Sequence, residues 1–172
     1  MRFLNSGGCT IEKGMRFLFY DRVLELEKKR SIIGIKSFAL SEEFHGGHFG
    51  KVALIPGVIF IEAMAQVLGW LICYSYDFEL SCIMSLIEGV KVPAQLRPGF
   101  EARIYGEMIS TTDKDTLGKA WMEVGGERVA SIERIIYTHF RETHPEELAE
   151  RFVYYSGRRD LLGDFRNRAP KG

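Results

Sequence analysis

Val58-Ile59-Phe60-Ile61-Glu62-Ala63-Met64-Ala65-Gln66-Val67-Leu68-Gly69-Trp70-Leu71-Ile72-Cys73-Tyr74-Ser75-Tyr76 follows the breaker pair Pro56-Gly57 and decides the fold. Its apolar residues fall on every side of a 3.6-residue helix, which predicts a helix buried all round. The two strong polar exceptions, Glu62 and Gln66, sit one turn apart on a common face. An ionised carboxylate is costly in a core, so such a group has its proton affinity raised or has a chemical task. A candidate partner lies just upstream: His48, within the loop-like Phe44-His45-Gly46-Gly47-His48-Phe49-Gly50. A buried acid beside an imidazole makes a general acid/base pair.

Outward from the helix, the chain alternates like the strands of a sheet. Upstream, Met15 to Leu26 is rich in aliphatic and aromatic residues. Ser31 to Leu40 resumes after Glu27-Lys28-Lys29-Arg30, which predicts a hairpin. Downstream come Ser81 to Val92, the turn Arg97-Pro98-Gly99 and Phe100 to Ile109, which places Phe100, Ala102, Ile104, Gly106 and Met108 on one face. Lys119 to Val124 and Arg128 to Phe140 flank Gly125-Gly126, a pair suited to a tight hairpin. Thr143-His144-Pro145-Glu146 reads as a capping box. It opens a short amphipathic helix through about Tyr155, with Leu148, Phe152 and Tyr155 as its apolar side.

This order gives an α+β domain: two strands, one long helix, then about four strands, with the sheet curved around the helix. The expected division is a flexible N-terminus over 1–14, the main domain over 15–140, a C-terminal helix over 141–156 and a flexible tail over 157–172. A short-stranded sheet around one helix leaves open edges. Pairing edge to edge with a second copy closes them, so a dimer is expected.

Composition narrows the function classes. The 172 residues suit one domain, and 23 Lys plus Arg balance 23 Asp plus Glu, which argues for neither nucleic acid nor an anionic membrane as partner. The oily helix approaches membrane-spanning length. Glu62, Gln66 and Gly69 inside it, and the lack of a Lys/Arg cluster at either end, argue against a span. Cys9, Cys73 and Cys82 are odd in number and lack metal-ligand spacing. Cys73 and Cys82 read as small core residues, and a reducing, cytoplasmic setting fits.

The stretch from His48 to Gln66 resembles the signature of the 3-hydroxyacyl-acyl-carrier-protein dehydratases of fatty-acid synthesis, which have the hotdog fold. The matching elements are His48-Phe49, Pro56-Gly57, Glu62-Ala63 and Ala65-Gln66, with no gap needed. Asp21 to Glu27 resembles the family's first strand, and Arg97-Pro98-Gly99 its second Pro-Gly turn, so the resemblance covers roughly Met15 to Phe140. Its register selects His48 over His45. Glu62, where the isomerising branch carries Asp, points to the dehydrating branch. Gly50 and Ala53 depart from the family pattern, which has proline there, and both loosen the segment carrying His48.

The resemblance implies dehydration of a 3-hydroxyacyl thioester to the trans-2-enoyl form, without cofactor or metal. The thioester would be carried on acyl carrier protein or coenzyme A. The reaction needs a base for the C2 proton, an acid for the departing C3 hydroxyl and a stabiliser for the enolate-like oxygen. His48 suits the base, and Glu62, desolvated by Phe60, Ile61 and Met64, suits the acid; the reverse assignment stays open. Backbone N–H groups of Gly57 and Val58, at the helix N-terminus, suit the oxygen. Gln66 is placed to fix the Glu62 rotamer. The resemblance also implies that His48 and Glu62 of one site come from different subunits, in a homodimer or a trimer of dimers. Lys51, Lys91 and Arg97 are candidates for meeting an acidic carrier protein. A thioester hydrolase and a non-catalytic acyl-binding hotdog protein are the competing functions.

Overall fold

Side chains that alternate between core and solvent build six strands, which a computed structural model describes together with two helices over residues 17–42 and 52–163. The strands are β1 (Arg22–Glu27), β2 (Ser31–Phe38), β3 (Ser81–Lys91), β4 (Phe100–Thr111), β5 (Asp115–Val124) and β6 (Glu127–Phe140). The helices are α1 (Gly57–Ser75) and α2 (Pro145–Ser156). The strands form one antiparallel sheet in the order β1-β2-β4-β5-β6-β3. Every ladder except β2·β4 carries a register shift, and each bulge adds local twist, so the sheet curls around α1. The β5–β6 hairpin turns at Gly125 and Gly126, with φ of 60° and 87°, the double positive φ of a type I′ turn.

α1 packs against the concave side because the sheet clears room for it. A Cβ on Gly34 would lie 2.9 Å from Val67, and one on Gly118 would lie 2.8 Å from Leu68 and 2.7 Å from the Glu107 carbonyl. Those absent side chains let Val67 and Leu68 sit close to the backbone of β2 and β5. Phe60, Ala63, Met64, Leu71 and Ile72 complete a wholly buried helix surface. The expectation of burial all round needs correction. The sheet wraps only part of the helix, leaving Val58 64% exposed and Glu62, Gln66 and Trp70 half-buried along one i, i+4 stripe.

The first strand starts later than the sequence suggests. Gln66 captures the backbone of residues 17–19, so those residues run along α1 and strand pairing begins only at Arg22. The capping box is also absent. Pro145 occupies the first helical position of α2, His144 is the N-cap without a side-chain bond, and Thr143 Oγ1 instead donates to the Phe78 carbonyl. α2 ends at Gly157 in the left-handed conformation, φ 70°.

Aromatic packing, more than capping, holds α2 in place. The Phe152 ring lies 5.5 Å from Trp70, 5.7 Å from Tyr74 and 5.5 Å from Phe78. Just beyond Gly157, where a loose tail is expected, the described residues pack against the domain. Arg159–Leu162 forms a 3-10 turn, Arg158 donates to the Leu24 carbonyl on the β1 edge, and the Tyr74 hydroxyl reaches Leu161 O at 3.4 Å. The remainder of that tail, and the expected flexible N-terminus, lie outside the described residues.

Candidate active site

Glu62 and Gln66 project from the open side of α1, one turn apart as the sequence spacing requires. Gln66 anchors the local structure. Its Oε1 accepts from Phe19 N at 2.9 Å, and its Nε2 donates to Phe17 O at 2.9 Å and to Glu62 Oε1 at 2.8 Å. The backbone partners settle which way the amide points, and that orientation aims a donor at the carboxyl group. A donor to a carboxylate is among the stronger hydrogen bonds, so the Glu62 rotamer is held. The expected link between these two side chains is present.

Both residues line a pocket of about 580 Å³, within the usual range for small-molecule sites. Its walls come from Phe17, Leu18 and Tyr20, the open face of α1, the start of β3, Tyr137 of β6 and two residues of α2. The Tyr137 hydroxyl donates to the Ala65 carbonyl at 2.7 Å, and burial pushes its pKa well up, with Cys82 and Glu62 adding to the rise. The Cys82 thiol donates to Gly69 O at 3.7 Å, and contact with Cys73, followed by burial, raises its pKa. A thiol so held stays protonated and is a poor nucleophile, consistent with a core role. The Tyr20 hydroxyl is buried near Trp70 without a hydrogen bond of normal geometry among the described residues, and burial raises its pKa.

Gly57 and Val58 are the first two residues of α1, where backbone N–H groups have no acceptor four residues back. The next donor, Ile59 N, is taken by Pro56 O at 2.9 Å. A Cβ on Gly57 would lie 2.9 Å from Val92 Cγ2, so packing also favours glycine there.

His48 lies outside the described residues, as do His45, Gly50 and Lys51. The chain on either side of them is well anchored. Lys36, buried on β2, reaches Glu42 at 2.7 Å and Asp21 at 3.2 Å, and Ile55 N donates to Leu96 O at 3.0 Å. Of the carrier-facing candidates, Lys91 and Arg97 are exposed, and Lys91 lies 3.9 Å from Glu133. His139 stands apart, with Nε2 2.8 Å from Thr116 Oγ1 and its pKa lowered by desolvation. Among the described residues no three His, Cys, Asp or Glu side chains group as a metal site.

The sequence reading missed Lys36, Tyr20 and Tyr137. Lys36 had a signal: it shares its strand face with Ile32, Gly34 and Phe38, an inward register in which a lysine needs acidic partners. The two tyrosines carried none, because an aromatic at an inward position looks like any core residue.

Residues 11–133 match the model of the FabA-like domain. The chain belongs to the FabA-like family. Its curated relatives include the 3-hydroxyacyl-[acyl-carrier-protein] dehydratase FabZ of Bacillus pumilus, 34% identical over 112 residues, which cover 64% of this chain and 78% of that one. The FabZ of Bacillus cytotoxicus is 35% identical over 118 residues, covering 68% and 82%. Among solved structures, the FabA-like chain superposes on the dehydratase heterocomplex ApeI:P from Xenorhabdus doucetiae with a TM-score of 0.60 at 13% identity, covering 77% of this chain and 89% of that one. A Streptococcus mutans protein bound to acetyl CoA gives 0.58 at 11%, covering 79% and 100%. At such identities these likenesses establish the architecture alone, the hotdog fold.

Proposed function

We propose that this FabA-like protein removes water from a 3-hydroxyacyl thioester, with His48 and Glu62 as its proton-transfer pair. Family membership makes it a hydro-lyase; the residues and the carrier are the further step. The observation that carries the reading is the Glu62 carboxyl, fixed by Gln66 on the wall of a largely apolar pocket. It lies five residues from Gly57, about 7 Å along the axis from the donors that open α1.

In the reaction one group of the pair takes the C2 proton, and negative charge moves onto the thioester oxygen. The N–H groups of Gly57 and Val58, at the positive end of the helix dipole, receive that oxygen. The C3–O bond then breaks, and the other group protonates the departing hydroxyl as water, leaving the trans-2-enoyl thioester. A proton relay of this kind needs neither metal nor cofactor.

The pair is completed across a homodimer, His48 from one subunit and Glu62 from the other. β3 supports that assembly: it is an 11-residue edge strand bearing exposed Ile83 and Leu86. The substrate is carried on acyl carrier protein or coenzyme A, in the cytoplasm.

Enoyl-thioester absorbance appearing with wild type and lost in His48→Ala and Glu62→Gln is the expected result. Equal rates in all three proteins overturn the assignment. Free thiol release without enoyl product would identify a hydrolase, and tight acyl-thioester binding without either product an acyl-binding protein.

A further inference from the structure

We infer that α2 closes the far end of the Glu62 pocket and sets the longest acyl group that the enzyme accepts. Leu148 and Tyr155 of α2 line the same pocket as Glu62. The pocket follows α1 from Glu62 to Cys73, eleven residues on, a run of about 16 Å. Phe152 pins α2 against Trp70 and Tyr74, in the C-terminal half of α1, so Leu148 and Tyr155 stand at the end remote from the carboxyl group. An acyl chain whose reacting carbons lie at Glu62 extends along α1 toward this wall.

The lining there is suited to an alkyl tail. Trp70, Cys73, Met84 and Leu148 offer mostly apolar surface, and Cys82 is held as a neutral thiol. Both α2 residues are half-buried rather than locked in the core, so their side chains can be changed without emptying it. The match to the FabA-like domain ends at residue 133, whereas α2 spans Pro145–Ser156. The wall therefore lies outside the matched domain.

The inference rests on the dehydratase reading for the identity of the ligand, and the experiment separates the two. Turnover of 3-hydroxyacyl thioesters of graded length is measured for wild type, for Leu148→Ala/Tyr155→Ala and for Leu148→Trp. The double variant is expected to raise the ratio of kcat/KM for long over short substrates about tenfold, the scale of one or two methylenes in an apolar pocket. Leu148→Trp is expected to lower it. A ratio unchanged in both variants overturns the inference, whatever the absolute rates. If wild type forms no enoyl product at any length, the dehydratase reading fails. Calorimetric titration with saturated acyl thioesters of the same lengths then decides about α2. A shift of the double variant's preference toward longer chains supports the wall, and an unmoved preference overturns it.

Discussion

One side of α1 buries Ala63, Val67, Leu68 and Leu71 completely, while the other lines up Glu62, Gln66 and Trp70 beside a pocket. The first side is shaped by volume: Gly34 and Gly118 leave room for Val67 and Leu68, and an added Cβ would strike them. The second is shaped by hydrogen bonds, with Gln66 tying residues 17–19 to the Glu62 carboxyl. The same 19-residue helix thus separates stability from chemistry by rotation about its axis. Substitutions on the two sides should fail in different assays.

The largest effect is expected from Glu62→Gln, which keeps the shape but removes the proton-transfer group. Steady-state turnover should fall by about 10²–10⁴-fold, while the thermal midpoint stays close to wild type. A parallel collapse of both would erase the distinction between the two sides. Leu68→Ala should do the opposite: it opens a cavity against β4 and β5 and costs about 2–5 kcal/mol in denaturant unfolding. Residual activity per folded molecule should be retained.

Gln66→Leu tests the boundary between the two sides. It removes the donor to Glu62 and leaves Phe17 O and Phe19 N without their partner. Turnover should drop about tenfold through loss of the Glu62 rotamer, with a stability cost of about 1–3 kcal/mol from the orphaned backbone groups. Tyr20→Phe should have the smallest effect. Deleting a buried hydroxyl that makes no hydrogen bond of normal geometry among the described residues should leave stability unchanged or raise it by about 1 kcal/mol in a melting experiment.

Much of the framework was legible because local pattern and tertiary structure agree. The oily run starting at Pro56-Gly57 became α1, the Gly125-Gly126 pair became a tight hairpin, and the inward face read for Phe100 to Met108 is that of β4. Misreadings came where a distant partner decided the outcome. Thr143 looked like a cap, but the Phe78 carbonyl claims its hydroxyl. The residues before β1 looked like strand, but a glutamine 47 positions on holds the backbone of Phe19. The tail beyond Gly157 looked loose, yet Arg158 docks on the β1 edge.

At the site, the Glu62–Gln66 link followed from helical spacing, because one turn brings i and i+4 together whatever surrounds them. The part played by α2 in the pocket could not follow from spacing. Leu148 and Tyr155 are more than eighty residues from Glu62 in sequence, and tertiary packing, chiefly aromatic, brings them to α1. His48 falls on residues outside those described, so its partnership with Glu62 is a matter for the kinetic test.

In the proposed homodimer, the bare rim of β3 would tie the protein's heat resistance to its abundance. A strand bonded to β6 on one side, whose outer edge gains backbone bonds when another copy docks, would make folding a second-order affair, so dilution should lower the melting temperature and concentration should raise it. Charged residues placed at Ile83 and Leu86 would cut that dependence, leaving a chain whose melting point ignores how much of it is present.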